Sequence, residues 1–227
     1  MKLSVIIPVY NEVKTIQPII EKVKKVTLNK EIIIVDDCST DGTKEILEKI
    51  KNNELKIIFQ PRNMGKGTAI KTALAHVTGN IVIIQDADLE YDPQDYHSLI
   101  KPIINGKYDI VYGSRILKKE NKFSDIRFYW GGKFVTLIAN LLYQTNLTDE
   151  ATGYKVFKSS VLKNLNLQCK KFEFCPEVTA KISKKGLKIK ELPISYYPRK
   201  VHQGKKLKAW DGLMAIWTLI KYKYKNL

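Results

Sequence analysis

The sequence is poor in cysteine, in long apolar runs and, over its second half, in acids. Its three cysteines (Cys38, Cys169 and Cys175) form no C-x-x-C pair and share no regular spacing. That pattern argues against a disulfide scaffold or a structural zinc site, and it suits small core residues in a reducing cytosol. The longest charge-free stretch, Phe134 to Thr148, is 15 residues and contains Asn140, Gln144 and Asn146. A bilayer-spanning helix needs roughly 20 apolar residues, so no transmembrane segment is expected. The opening run Lys2-Leu3-Ser4-Val5-Ile6-Ile7-Pro8 lacks the layout of a signal peptide. The three histidines (His76, His97 and His202) make neither H-x-H nor H-E-x-x-H, and read as surface or partly buried side chains. No repeat, low-complexity tract or Gly/Ser linker divides the chain, so residues 1–227 are expected to form one continuous domain.

What is present is apolar and basic. Apolar residues make up 44% of the chain, enough for a substantial core. Basic residues number 39 and acidic ones 23, a formal net of +16. Residues 1–115 hold 16 basic and 15 acidic side chains, whereas residues 116–227 hold 23 and 8. A balanced front half and a cationic back half suggest two jobs, the second facing nucleic acid, a phosphorylated substrate or a lipid surface.

The front half alternates β-branched runs with helical spacing. Strands are expected at Leu3–Val9, Glu31–Asp36, Leu55–Gln60, Asn80–Gln85 and Asp109–Tyr112. Helical patterns lie between them, as in Ile16, Ile19, Ile20 and Val23, or Ala69, Ile70, Ala73, Leu74 and Val77. Nearly continuous apolar strands separated by helices indicate an α/β fold with a mostly parallel sheet covered on both faces. Asp41-Gly42-Thr43 and Asp92-Pro93 read as helix starts. In the back half, helices are expected over Gly132–Leu142 and Pro176–Lys185, a strand over Leu187–Tyr197, and a basic loop over Arg199–Lys208. A last helix carries Trp210, Leu213, Met214, Trp217, Ile220 and Tyr224 on one stripe.

The sharpest chemical signal is Gln85-Asp86-Ala87-Asp88-Leu89-Glu90, directly after an apolar strand. Side chains alternate along a strand, so Asp86 and Asp88 point one way, at the sheet edge where such folds bind ligands. Bunched carboxylates repel unless a hard cation relieves them, and Mg²⁺ or Mn²⁺ bridging a nucleotide diphosphate is the natural occupant. Glu90 could add a third oxygen. Two further strand ends carry polar groups, Asp36-Asp37 and Tyr10-Asn11-Glu12, and together the three make a nucleotide pocket. Each alone could serve as turn or cap chemistry. The Gly-rich Asn63-Met64-Gly65-Lys66-Gly67-Thr68 is neither a Walker A loop nor a dinucleotide fingerprint, since both need spacings it lacks. It stands either as a tight turn or as a helix start approaching a nucleotide, with Lys66 beside it.

In order and spacing, Val5–Glu12, Val35–Gly42, Asn63–Gly67, Asp86-Ala87-Asp88 and Gly113-Ser114-Arg115 resemble the family 2 glycosyltransferases, whose fold is the GT-A arrangement. Asp149–Tyr154, Phe172–Phe174, Glu191–Ile194 and Arg199 to Leu207 resemble a narrower branch, the dolichol-phosphate mannose synthases and related polyprenyl-phosphate glycosyl synthases. The resemblance implies a donor nucleoside pocket at Pro8, Tyr10, Glu12, Val35 and Asp37, and backbone at Ala87 against the donor. It implies metal ligands at Asp86, Asp88 and Glu90. It makes Arg115, Arg127, Arg199 and Lys206 the cations for donor and acceptor phosphates. The implied partners are a nucleotide sugar, GDP-mannose being the best-known donor with UDP-glucose or UDP-N-acetylglucosamine also open, and a polyprenyl phosphate at the cytoplasmic face of a membrane.

A polyprenyl phosphate has a second pKa of about 6, so it is already an oxyanion at neutral pH and needs no general base. A hydroxyl acceptor would need one, and Asp149 or Glu150 is the candidate. The last helix, flanked by Lys205, Lys206, Lys208, Lys221, Lys223 and Lys225, suits either a membrane interface or packing on the core. A nucleotidyltransferase remains a rival on such a sheet. The intact acidic sites argue against a nucleic-acid-binding role.

Overall fold

The computed structural model describes residues 1–50, 55–123, 125–199, 206 and 209–225. The elements run β1 (Leu3–Val9), α1 (Ile16–Lys25), β2 (Lys30–Asp36), α2 (Thr43–Lys49), β3 (Leu55–Phe59), α3 (Lys66–Leu74), β4 (Ile81–Ile84), α4 (Tyr96–Ile104), β5 (Ile110–Ser114), α5 (Ile126–Tyr143), β6 (Lys155–Lys158), α6 (Ser159–Lys163), α7 (Phe174–Lys184), β7 (Ile189–Pro193) and α8 (Ala209–Tyr224). A short 3₁₀ turn, Pro93–Asp95, precedes α4, and the Asp92 carboxylate caps it at Gln94 N, 3.1 Å.

The strands form one sheet in the order β3-β2-β1-β4-β6-β5-β7. β1, β2, β3 and β4 pair in parallel, as do β5 and β7, while β6 runs antiparallel between β4 and β5. The run Val5-Ile6-Ile7 fills both faces: Val5 and Ile7 join α1 and α4 residues in one cluster, and Ile6 joins α3 and α7 residues in the other. A fully buried Ile contributes about 1.5–3 kcal/mol, which commits the β-branched runs to the central strands. Both faces are covered, as the continuous apolar strands require.

The front strands lie where the sequence places them, to within one or two residues at each end. The back half departs more. β6 was not expected, because Lys155-Val156-Phe157-Lys158 is short and bracketed by lysines. Burial of Lys155 is possible because its ammonium donates to Glu150 O (2.6 Å) and lies 3.7 Å from the Tyr112 ring centroid. The expected helix at Gly132 begins earlier, at Ile126, because Asp125 caps Arg127 N at 2.8 Å and the helix runs through Gly131-Gly132. The expected strand at Leu187–Tyr197 shortens to Ile189–Pro193. Gly186, at φ +66°, ends α7, and Leu187 N bonds back to Ile182 O, which takes Leu187 out of the strand.

α5, α7 and α8 share a small core of Val135, Ala139, Ala180, Leu219 and Tyr222. The residues buried on α8 are Thr218, Leu219 and Tyr222, and most of the stripe read from the sequence (Trp210, Leu213, Trp217 and Tyr224) is exposed. No helix among the described residues is long and apolar enough to cross a membrane.

Candidate active site

Parallel pairing brings the carboxyl ends of β1, β2 and β4 to one edge, with Val9 opposite Asp36 and Ile6 opposite Ile84. Tyr10-Asn11-Glu12, Asp36-Asp37 and Asp86–Glu90 follow those ends and are brought together as expected. Pro8 and Val35 pair in register and are buried, forming the wall beneath that edge.

The two aspartates of the D-x-D sequence each face a cation. Lys66 Nζ donates to Asp86 Oδ1 at 2.5 Å, and Arg199 Nη2 lies 3.5 Å from Asp88 Oδ2. Burial would lower the Lys66 pKa, but Asp86, Cys175 and Asp88 more than offset it and raise it. Burial, then the charges of Asp86 and Glu90, push Asp88 up to about 7, against partial relief from Arg199. Gly153 lies so close that any Cβ there would fall against Asp86 Oδ2 and the Tyr91 ring. Behind the pair, Gln85 accepts from the hydroxyls of Tyr96 (2.5 Å) and Tyr154 (2.6 Å) and donates to Asp86 O at 2.9 Å. Ala87 is buried, and Leu89 takes a left-handed turn at φ +64°.

Glu12 is the second centre. Its carboxylate receives both Arg199 terminal nitrogens at 3.0 Å, Lys206 Nζ at 2.7 Å and Thr15 Oγ1 at 2.6 Å. Burial would raise its pKa, but the hydrogen bonds from Arg199, Lys206 and Thr15 outweigh it and hold the carboxyl below its ordinary value. Lys206 also donates to the carbonyls of Tyr10 and Asn11. The rest of the expected motif around it, residues 200–205 and 207, lies outside the described residues.

Several expected residues have other occupations. The Glu90 carboxylate accepts from Arg199 N (2.8 Å) and the Tyr196 hydroxyl (3.2 Å), so it fixes the 196–199 segment instead of standing free beside Asp88. Asp37 gives its two oxygens to Met64 N and Gly65 N, both at 2.7 Å, and burial raises its pKa. Arg115 forms a two-point pair with Asp149, Nε to Oδ2 and Nη2 to Oδ1, both 2.7 Å. Burial opposes the charge on each, and the pairing still raises Arg115 and lowers Asp149. Glu150 is buried, its pKa raised by that burial, with Oε1 accepting from Thr179. Arg127 is exposed and pairs with Asp125 in the first turn of α5.

Sequence reasoning did not foresee the role of the Gly-rich helix start. A Cβ at Gly65 would meet Lys170 O at 2.5 Å, and one at Gly67 would meet Cys169 Sγ at 2.9 Å. Gly67 N and Thr68 N donate to the carbonyls of Lys171 and Lys170, each at 3.0 Å. The glycines are required by the 169–171 segment that packs on them. Nothing local signals this, since the partners are a hundred residues apart. The Lys66–Asp86 pair, likewise, is visible only once the chain is folded.

The donor set fits a small hard cation. Asp86 and Asp88 offer two carboxylates at one strand end, where burial and then the neighbouring acids raise Asp88. Among the described residues no third His, Cys, Asp or Glu joins them to make a closed cage. Mg²⁺ and Mn²⁺ suit such open sites, bound by one or two carboxylates with the remaining positions left to phosphate oxygens and water.

Comparison with known proteins bears on this geometry. Residues 4–165 match the profile of Glycosyl transferase family 2. The chain is 30% identical over 202 residues to the low-salt glycan biosynthesis hexosyltransferase Agl6 of Haloferax volcanii, covering 87% of this chain and 48% of that protein. It is 30% identical over 227 residues to an uncharacterized protein, MJ1222, of Methanocaldococcus jannaschii, covering 98% and 92%. It is 25% identical over 206 residues to dodecaprenyl-phosphate galacturonate synthase of Rhizobium johnstonii, covering 88% and 60%. The chain thus spans about half to three-fifths of two of these relatives and nearly all of the third. Among solved structures, glucosyl-3-phosphoglycerate synthase of Mycobacterium tuberculosis with Mn²⁺, UDP and glucosyl-3-phosphoglycerate superposes at a TM-score of 0.73 and 20% identity, covering 97% of this chain and 79% of that one. The same enzyme with Mg²⁺ and UDP gives 0.70 at 18%, covering 97% and 79%. That likeness is one of fold, the GT-A arrangement. Since the profile covers most of the sequence and one relative matches end to end, the chain belongs to glycosyl transferase family 2.

Proposed function

We propose that the protein is an inverting, metal-dependent hexosyltransferase that moves a sugar, mannose from GDP-mannose as the first choice, to a polyprenyl phosphate. The observation that carries the acceptor class is the state of the two candidate bases. Asp149 has both oxygens bound by Arg115, and Glu150 is buried. Neither stands ready to take a proton from a sugar hydroxyl, so the acceptor should arrive already ionised, as a phosphate monoester does.

In the proposed reaction, a phosphate oxygen of the acceptor attacks the anomeric carbon from the face opposite the donor diphosphate. The new C–O bond forms as the old one breaks, and the bonding pair leaves on the nucleoside diphosphate, with inversion. A divalent cation held by Asp86 and Asp88 would supply charge neutralisation to that leaving group. The protein's part is to bring two anions together: Arg199 and Lys206 carry positive charge to the nucleotide edge, and the wall of Pro8 and Val35 backs the nucleoside. The dodecaprenyl-phosphate enzyme among the relatives supports a lipid phosphate as acceptor.

A membrane-facing role for α5 and α8 supports the same reading. α5 exposes Ile126, Trp130, Phe134, Leu137 and Leu141, spaced at every third or fourth residue. α8 exposes Trp210, Leu213, Trp217, Ile220 and Tyr224 in the same rhythm, with Lys221, Lys223 and Lys225 nearby. Two adjoining helices with apolar stripes and flanking lysines suit peripheral binding at an anionic interface.

The test is transfer of label from nucleotide sugars, with Mg²⁺ or Mn²⁺, to short polyprenyl phosphates and, separately, to saccharides. Product on the phosphate with release of a nucleoside diphosphate is expected. Product on hydroxyl acceptors alone would overturn the acceptor assignment, and release of pyrophosphate would indicate nucleotidyl transfer.

A further inference from the structure

We infer that Lys66 and Arg199 are resident counter-ions of the Asp86/Asp88 pair, holding the site until a divalent cation arrives together with the donor diphosphate. The inference rests on the metal assignment proposed above and adds an order to it: metal without nucleotide is bound poorly, and the nucleotide recruits it.

Three observations lead there. First, the protein's offer to a metal is two carboxylates; Glu90 is engaged by Arg199 N and Tyr196, and no further ligand cluster exists among the described residues. Second, each carboxylate already faces a cation, Lys66 on Asp86 at 2.5 Å and Arg199 beside Asp88 at 3.5 Å. A divalent ion entering alone would meet an ammonium and a guanidinium at close range, and like charges repel there. Third, both cations have the reach to be reassigned. Lys66 sits on the first residue of α3, at the end of a flexible four-carbon stem, and its side chain is 20% exposed. The Arg199 guanidinium is shared between Glu12 and Asp88. A diphosphate would give both displaced cations new oxygens while supplying the metal with its missing ligands. The exchange moves charge partners and needs no covalent step.

The experiment titrates Mn²⁺ into wild type, Lys66→Met and Lys66→Arg, following the signal of free Mn²⁺ by electron paramagnetic resonance, first alone and then with GDP or UDP. Without nucleotide, Lys66→Met is expected to bind Mn²⁺ about tenfold tighter than wild type, since one competing charge is gone. Lys66→Arg should retain weak binding. With nucleotide, wild-type affinity should rise steeply and the variant's should rise less, because the displaced ammonium no longer meets the phosphates. For the same reason the variant should raise the donor KM more than it lowers kcat. Circular dichroism and the thermal midpoint check the fold, with Lys66→Gln as the milder replacement if Lys66→Met is unstable. Equal or weaker Mn²⁺ binding by the folded variant in the absence of nucleotide overturns the inference and leaves the metal assignment standing. Absence of Mn²⁺ binding by every form, with and without nucleotide, overturns both.

Discussion

Asp86/Asp88 and Asp149/Glu150 are two acidic pairs in one chain, and the fold treats them in opposite ways. The first keeps about a fifth of each side chain in solvent and faces cations on a lysine stem and on the segment after β7. The second is buried, and Asp149 meets Arg115 in a two-point pair to which Arg115 N adds a third bond at 3.0 Å. Asp149 is further fixed from behind, as Glu191 on β7 accepts from Thr148 N and Asp149 N at 2.6 and 3.0 Å. Acids whose counter-ions can leave are suited to a ligand, whereas Asp149, whose counter-ion Arg115 is built into the frame, helps hold the frame together. Sequence alone presents both as neighbouring carboxylates.

The sharpest way to break this comparison is to delete one acid from each pair. Asp88→Ala should lower turnover by about a thousandfold or more, in the range lost when an electrostatic stabiliser of the transition state is removed, while the protein stays folded. Steady-state transfer assays beside a thermal melt check it, and near-wild-type turnover would remove Asp88 from the site. Asp149→Ala should act chiefly on folding. It leaves the partly buried Arg115 guanidinium without its partner, at the lower end of about 3–5 kcal/mol. Urea unfolding should show the loss, and an unchanged midpoint would mean that the pair is not a strut.

A smaller effect sharpens the contrast through pH. The folded Asp88 carboxyl titrates near 7, above its ordinary 3.8, so the folded state holds this proton longer than the unfolded chain. Its contribution is then largest in acid and is lost as pH rises from about 4 to 7. Glu31 is a structural counterpart with the reverse sign. Burial opposes its charge, but hydrogen bonds from Lys2, Ser4 and Thr78 lower it from 4.5 to about 2, so its stabilisation appears as pH rises through that window. In metal-free protein, Asp88→Asn should flatten the loss between pH 4 and 7 and leave the Glu31 rise in place. Denaturant midpoints from about pH 2 to 8, spanning both windows, test it; an unaltered slope between pH 4 and 7 would deny Asp88 its raised pKa.

How much could be read beforehand follows from which signals are local. β1, β2, β4 and β5 are legible because their apolar runs are buried against neighbours that repeat the same pattern, and the half-covered edge strand β3 because its run Leu55-Lys56-Ile57-Ile58-Phe59 is rich in β-branched and aromatic residues. Asp86 and Asp88 are legible because a polar cluster ends an apolar strand. β6 is not, since Lys155 looks like a surface residue until Tyr112 and the Glu150 carbonyl surround its ammonium. The stripe on α8 was legible as a stripe, but which of its faces is covered depends on where α5 and α7 lie. Glu90 could be read as an acid near a metal; that its oxygens turn to residues 196 and 199 depends on a contact across a hundred positions.

The place of β6 has a consequence for modularity. The charge distribution invites a cut near residue 115, with a nucleotide half on one side and an acceptor half on the other. Yet β6 comes from the second half and lies between β4 and β5 of the first. Residues 1–115 by themselves would lack the strand that joins β5 to the rest of the sheet, and the Gly65–Gly67 turn would lose the 169–171 backbone it rests on. The two halves of the chain are interleaved in one hydrogen-bonded fabric, so neither is a cassette that can be exchanged by joining halves of two relatives.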